Sequence, residues 1–220
     1  MTLGRTGTQA ERAGGRTRRR LAGTSFALTL GGLGVLALCL SASAGAASSS
    51  SLSRFLLKSG EQPGYSVGGR PQTSSTPSGF VEGGGLTARQ AKSIANALKA
   101  AGFVKALEEH TTGSGGSEGF SLVIQFTNPA GAETGAALFL HLAQSGQKGS
   151  KPFRVSGVTG AKGVTVNGGA GASVNAYWSA GDCAFGSGLY NPRATTAKSA
   201  AAPIQAGIRS QAKRVGTTCP

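Results

Sequence analysis

The sequence is poor in the side chains that most enzymes use for acid–base chemistry and metal binding. Its 220 residues include 8 Asp and Glu side chains and 2 His. No two carboxylates stand in a setting typical of general acid–base catalysis. Glu108 and His110 would share one face of a strand, but two ligands without a third make a poor metal site. Phosphate-binding loops and Cys-x-x-Cys pairs are also missing. We therefore expect a non-catalytic protein that needs no metal or other cofactor.

One short motif resembles a catalytic one but lacks its context. Residues 115–119 fit G-x-S-x-G, in which the Ser needs a strand before it, a helix after it, and an Asp and a His further along. Here a strand is predicted to follow, and no His lies beyond the only Asp, Asp182. The alternative to a non-catalytic protein is a small secreted hydrolase. Its Glu108, His110 or Asp182 would meet a Ser hydroxyl only in three dimensions.

Long uncharged runs are also rare, and the one near the N-terminus has the setting of an export signal. Residues 1–20 are basic, residues 21–40 are uncharged, and small residues follow at A-x-A spacing. We expect a signal peptide over residues 1–47, with cleavage near Ala44 or Ala47. The protein would then lie in the periplasm, in the cell wall or outside the cell.

The end of the basic segment resembles the twin-arginine export motif. Thr17, Arg18 and Arg19 are followed by Arg20 and Leu21, which fits Ser/Thr-Arg-Arg-x-Phe/Leu, although the usual Leu-Lys does not follow. The resemblance implies export by that pathway. The second interpretation is that the 20-residue apolar stretch is not cleaved and spans the membrane, with the C-terminal domain outside. Lipidation at a cysteine is a third.

Cysteine is scarce, with 3 residues in the chain. Cys39 lies in the apolar stretch and would leave with the signal, so Cys183 and Cys219 remain. An even pair in an exported protein predicts a disulfide. Closing a loop of this length stabilises the fold by about 3–4 kcal/mol in the chain-entropy account. Two free thiols are the alternative.

Negative charge is outnumbered over the chain as a whole. Six of the 22 basic and one of the 8 acidic side chains precede the apolar stretch, which leaves 16 and 7 and a net charge of +9. This surplus favours an anionic envelope component or another envelope protein as partner. Nucleic acid fits the charge but not the compartment, and a membrane partner is expected only if residues 21–40 are retained. The alternative is a solvated basic surface.

Hydrophobic periodicity divides the remaining chain into two parts. We expect a flexible lead-in with short strands over residues 48–85 and one α+β domain over residues 86–220. Within that domain, Thr87 and Gln90 form the capping-box pattern ahead of a helix from Ala88 to Ala101. Further helices and hairpins come in blocks, which predicts an antiparallel sheet with helices on one face. Pairs of predicted strands end at Asn128-Pro129 and at Asn191-Pro192, which suggests a duplicated hairpin–helix unit.

The aromatic residues offer a candidate binding surface. Trp178 alternates with polar neighbours and is expected in the core. Tyr177 and Tyr190 point to the other face by parity and, with Asn175, form a candidate polar–aromatic surface on the open side of the sheet. The alternative is that these tyrosines only shield the sheet. The Ala/Gly/Arg-rich composition resembles that of uncharacterised exported proteins of high-GC bacteria. The leading hypothesis is a binding or interaction domain of the bacterial envelope.

Overall fold

One antiparallel sheet organises the chain. The computed structural model describes residues 50–82, 86–145, 149–168, 171–194, 197–216 and 219. Within these ranges seven strands pair in the order β1-β2-β3-β7-β6-β5-β4. The strands are β1 (Tyr65–Ser74), β2 (Phe103–Gly113), β3 (Glu118–Phe126), β4 (Lys151–Arg154), β5 (Lys162–Gly168), β6 (Gly171–Ala180) and β7 (Cys183–Asn191). The predicted α+β class with an antiparallel sheet is confirmed.

Three of the described helices begin at residues whose side chains cap them. The helices are α1 (Ser50–Ser53), α2 (Pro77–Val81), α3 (Ala88–Ala100), α4 (Pro129–Gln144) and α5 (Lys198–Val215). The capping box predicted for α3 is present, with Thr87 Oγ1 accepting from the Gln90 amide and the Gln90 side chain accepting from the Thr87 amide. Asn128 caps α4 by accepting from the Gly131 amide at 2.9 Å. These satisfied N–H groups fix where α3 and α4 begin.

The helices cover both faces of the sheet, not one as predicted. On the α5 face, helices α1 and α5 bury Val174, Trp178 and Phe185. On the α4 face, helices α2, α3 and α4 bury a second cluster that includes Tyr177. A Cβ atom at Gly135 of α4 would overlap the Phe126 ring, so the missing side chain lets α4 approach the sheet closely. The prediction failed because the central strands are apolar on both faces, as strands between two layers require.

Residues 52–81 belong to the domain and are not the flexible lead-in that we expected. Leu52, Phe55 and Phe80 are buried in the two cores. Strand β1 pairs with β2 along the edge of the sheet, with a register shift between Gly68 and Gln72. Edge strands tolerate Gly, Pro and charge because one side of the backbone faces water, and β1 therefore has a loop-like composition.

The structure does not support a duplicated hairpin–helix unit. The hairpins β2–β3 and β6–β7 lie side by side through the β3–β7 pair, as a repeat would require. Helix α4, however, crosses from the first hairpin onto β6 and β7, whereas α5 packs on its own hairpin from the opposite face. The second Asn-Pro pair also opens no helix, because β7 continues through Asn191 and α5 begins at Lys198.

Candidate functional site

An open cavity of about 690 Å³ lies beside α5, at the end of β6. Three segments far apart in sequence form its wall: the loop 157–159, the strand end and turn 178–181, and the last turns of α5 with Gly216. We call it the α5 cavity. It lies on the α5 face of the sheet, since Trp178 contributes to that core.

Trp178 forms the aromatic part of the wall. It is 3% exposed, and its ring stacks on that of Phe185 with centroids 4.2 Å apart and an interplanar angle of 16°. The indole Nε1 is buried and has no hydrogen-bond acceptor among the described residues. The stacking fixes the ring between the sheet and the cavity, while its donor remains unused.

The basic part of the wall comes from one side of α5. Ile204 and Ile208 are fully buried, which turns their side of α5 toward the sheet. Arg209 and Lys213, four residues apart, lie on another side of the helix, where they line the cavity and are exposed. Side chains at this spacing are neighbours on a helix surface, with Cβ atoms about 5–6 Å apart. Neither side chain has an ion pair or hydrogen bond to another described residue. The residues that line the cavity include no Asp or Glu.

The other side of α5 is held by polar contacts to the N-terminal part of the domain. Arg214 pairs with Glu61 at 2.6 Å and donates to the carbonyl oxygens of Arg54 and Leu56. Gln211 is buried, and its Nε2 donates to the Phe55 carbonyl oxygen at 2.6 Å. These contacts fix the rotation of α5, and so the direction in which its cavity side faces.

A disulfide ties the chain beyond α5 to the sheet. Cys183, the first residue of β7, is bonded to Cys219, with Cα atoms 5.6 Å apart. Cys183 pairs across the turn with Ala180 of β6, which itself lines the cavity. The bond therefore holds Cys219 beside the turn that closes one end of the cavity.

Comparison with known proteins leaves the family of this chain open. No protein-family model matches it, and no curated protein matches it. Among solved structures, it is similar to the extracellular domain of PknH from Mycobacterium tuberculosis, with 15% sequence identity and a TM-score of 0.47. The match covers 74% of this chain and 94% of that domain.

The tyrosine surface predicted from strand parity is not formed. Tyr177 is buried on the α4 face, where its ring stacks on Phe139 of α4 at 5.9 Å, and Asn175 is buried too. Tyr190 is half-buried near the far end of β7. The parity was read correctly, but α4 covers this face of the sheet. The sheet around Tyr177 therefore has no open face on which a ligand could bind.

A buried carboxyl group lies in the row of residues that leads to Tyr177. Glu108 of β2 pairs with Leu122, Leu122 with Gly186, and Gly186 with Tyr177. A Cβ at Gly186 would lie 2.8 Å from the Tyr177 ring, so the ring occupies the space above this glycine. The oxygens of Glu108 have no hydrogen-bond partner among the described residues. Burial raises the pKa of Glu108 to about 8, and burial together with the charge of Glu108 raises the pKa of Tyr177.

The residues proposed for a hydrolase are not brought together. Ser117 closes the β2–β3 turn, as predicted for this Gly/Ser segment, and its Oγ donates to the Ser114 carbonyl oxygen at 2.7 Å. His110 pairs with Phe120, whereas Asp182 lies beside Phe126, six residues further along the same strand. Six residues of strand span roughly 20 Å, too far for a shared proton. The described residues contain no group of three or more metal-binding side chains.

The residues assigned to the export signal lie outside the described ranges. They are Arg18, Arg19, Ala44, Ala47 and the apolar residues 21–40. Among the helices that the structure describes, none has the length and apolar character needed to cross a membrane.

Sequence reasoning missed the α5 cavity. It placed Trp178 in the core, which is correct, but did not single out Arg209 or Lys213. The available signal was their spacing of four residues on the side of α5 away from Ile204 and Ile208. That spacing places the two residues on a common side of the helix. The position of the loop 157–159 opposite them depends on the tertiary fold and cannot be read from the local sequence.

Proposed function

We propose that this protein is an exported, non-catalytic binding domain whose ligand enters the α5 cavity. The observation that carries the proposal is the cavity itself, which joins an aromatic wall to convergent polar groups in about 690 Å³. Small-molecule sites are typically concave, of about 300–1,000 Å³, and lined by apolar side chains with a few placed polar groups.

Two observations support export to the bacterial envelope. The N-terminal 47 residues have the pattern of an export signal. The disulfide between Cys183 and Cys219 is of a kind that persists in oxidising compartments. The periplasm, the cell wall and the extracellular space all meet this condition.

The separation of the candidate catalytic residues supports binding over hydrolysis. His110 and Asp182 lie near opposite ends of β3, and the carboxyl oxygens of the buried Glu108 have no hydrogen-bond partner among the described residues. A nucleophile and its base must come within hydrogen-bond reach of each other. The described residues that line the α5 cavity include Thr159 and Ser179 but no Asp, Glu or His.

The only tryptophan of the protein lines the cavity, which provides a direct assay. The probes are N-phenyl-1-naphthylamine and its sulfonate, 8-anilino-1-naphthalenesulfonate, two dyes that accept excitation energy from tryptophan. We expect at least one of them to quench Trp178 emission saturably, with one dye bound per protein.

Matched substitutions locate the dye. Ala212→Leu fills part of the cavity and should weaken binding tenfold or more. Ala202→Leu adds the same volume at an exposed position of α5 that does not line the cavity and should leave binding unchanged. If neither dye binds, or if Ala212→Leu has no more effect than Ala202→Leu, the proposed function is wrong.

A further inference from the structure

The α5 cavity has positive charge without a compensating group in its wall. Arg209 and Lys213 both line it, and the remaining lining residues are uncharged. Asp182 follows the lining residue Gly181 in sequence but forms no ion pair with either cation. Two cations four residues apart on a helix repel each other. An anion bound between them would remove this repulsion.

A cation without a partner among the described residues is not the rule along this helix. Arg214, adjacent to Lys213 but on the other side of α5, is joined to Glu61 and to two backbone carbonyls. The same helix thus has a compensated side that faces the domain and an uncompensated side that faces the cavity. The position of Lys213 near the helix C-terminus is itself favourable, because the last turn has a partial negative charge of about half a unit. Arg209 lies more than a turn earlier, and two full positive charges outweigh that partial charge.

The remainder of the wall is suited to an apolar group. Val158, Ala180 and Ala212 line the cavity together with Trp178. The cavity volume of about 690 Å³ is many times the roughly 30 Å³ that one water molecule occupies in the liquid, so a small inorganic anion would leave most of it empty. The buried indole Nε1 of Trp178 has no hydrogen-bond partner among the described residues, so an acceptor on the ligand would remove the cost of leaving this donor unpaired.

We infer that the α5 cavity binds an amphiphilic organic anion, with its charged group between Arg209 and Lys213 and its apolar part against Trp178. The inference rests on the proposed function and adds the chemical class of the ligand. Guanidinium and ammonium groups bind carboxylates, sulfonates and phosphates through charge-assisted hydrogen bonds. The expected ligands therefore share one anionic group attached to an apolar body.

The two dyes form a matched pair for this test, because they differ only in the sulfonate group. We expect the sulfonate dye to bind at least tenfold more tightly than the neutral dye at low salt, and this preference to shrink as ionic strength rises. The double substitution Arg209→Gln and Lys213→Gln should remove the preference and leave the affinity for the neutral dye unchanged.

The control for net charge is the pair Lys92→Gln and Lys99→Gln. Both lysines are exposed on α3, which packs on the α4 face of the sheet. This variant loses the same total charge and should keep the preference for the sulfonate. If both double variants lose it equally, the preference reflects overall charge, and the inference is overturned.

Other outcomes separate the inference from the proposed function. Equal binding of both dyes, with Ala212→Leu weakening each, would leave a binding cavity but refute an anionic ligand. Absence of binding by either dye would contradict the proposed function as well. Stabilisation by inorganic phosphate equal to that by the sulfonate dye would show that no apolar body is needed.

Vesicles distinguish a free amphiphile from a membrane surface. Phosphatidylglycerol vesicles present anionic groups to the same cations, so sedimentation with them is compared with sedimentation with phosphatidylcholine vesicles. We expect the double substitution Arg209→Gln and Lys213→Gln to weaken binding of the sulfonate dye and to leave sedimentation with either kind of vesicle unchanged. Sedimentation that depends on these residues, with no dye entering the cavity, would assign them to a membrane surface and overturn the inference.

Discussion

Trp178 and Phe185 are paired across β6 and β7 and stack face to face, with ring centroids 4.2 Å apart. Phe55, from the segment that follows α1, packs edge-on against Phe185 at 6.3 Å. The three rings join the N-terminal segment, the central strands and the wall of the α5 cavity. Their packing therefore links the stability of the domain to the shape of the cavity.

Replacing Phe185 with Ala should destabilise the fold by about 3–5 kcal/mol, because a fully buried ring is lost and a void remains. Since Phe185 covers one side of the only tryptophan, Trp178 emission should also shift to longer wavelength. Urea denaturation followed by fluorescence measures both effects. Val104→Ala, at an exposed position, should change stability by no more than about 0.5 kcal/mol. A loss at Phe185 as small as that at Val104 would contradict the packing described.

Stability should fall as the pH rises because of Glu108. Burial raises the pKa of its carboxyl from 4.5 to about 8 in the folded state, so folding favours the neutral acid. The stabilising contribution is complete below about pH 4.5 and is lost as the pH rises through about 8, with a total on the order of 5 kcal/mol. Glu108→Gln should flatten this dependence in urea titrations between pH 5 and 8.5.

The control for Glu108 is Glu118→Gln, which removes a carboxylate at an exposed position of the neighbouring strand. This variant should retain the slope of the unmodified protein. Some slope should also remain in Glu108→Gln, because burial raises the pKa of Glu109 as well. A Glu108→Gln slope equal to that of the unmodified protein would show that Glu108 is ionised in the fold at neutral pH.

Removing the disulfide should lower the free energy of unfolding by about 3–4 kcal/mol, the chain-entropy estimate for its loop. Cys183→Ala with Cys219→Ala makes the change without leaving a free thiol. The unmodified protein in reductant should behave like this variant, which serves as its control. If the oxidised protein and the double variant unfold at the same urea concentration, the bond contributes no stability in solution.

Arg214→Met should release residues 54–61 from α5. It removes the ion pair with Glu61 and the donors to two backbone carbonyls, at a cost of about 1–3 kcal/mol. Hydrogen exchange should accelerate at the Leu57 amide, which donates to Ser121 Oγ, more than in β6 and β7. Arg193→Met removes a cation at an exposed site and should leave exchange unchanged. Uniform acceleration across the domain would contradict a local role for Arg214.

Elements specified by their own sequence were predictable. The capping box and apolar periodicity of α3 predicted its start at Ala88, and the alternation in β3 and β6 predicted strands within two residues of their observed ends. These features depend on interactions between residues close in sequence. They required no knowledge of the tertiary structure.

Features that depend on which layer covers a strand were not predictable. Parity assigned Tyr177 and Trp178 to opposite faces correctly, but only the path of α4 buries Tyr177. The edge position of β1 likewise explains its loop-like composition. The α5 cavity requires three segments separated by many residues to meet. No pattern within one segment of the sequence predicts that these three segments come into contact.

The crossing of α4 has a consequence for the order of folding. This helix follows the first hairpin in the chain but packs on the second, which is synthesised later. Its apolar side, including Phe139, has its stacking partner Tyr177 only after β6 is in place. The central β3–β7 pair likewise joins residues as distant as Glu118 and Tyr190, so its loop-closure entropy is lost before many long-range contacts form. Neither half of the sheet is therefore a self-sufficient folding unit, and we expect the domain to acquire its structure in one cooperative step that follows completion of β7.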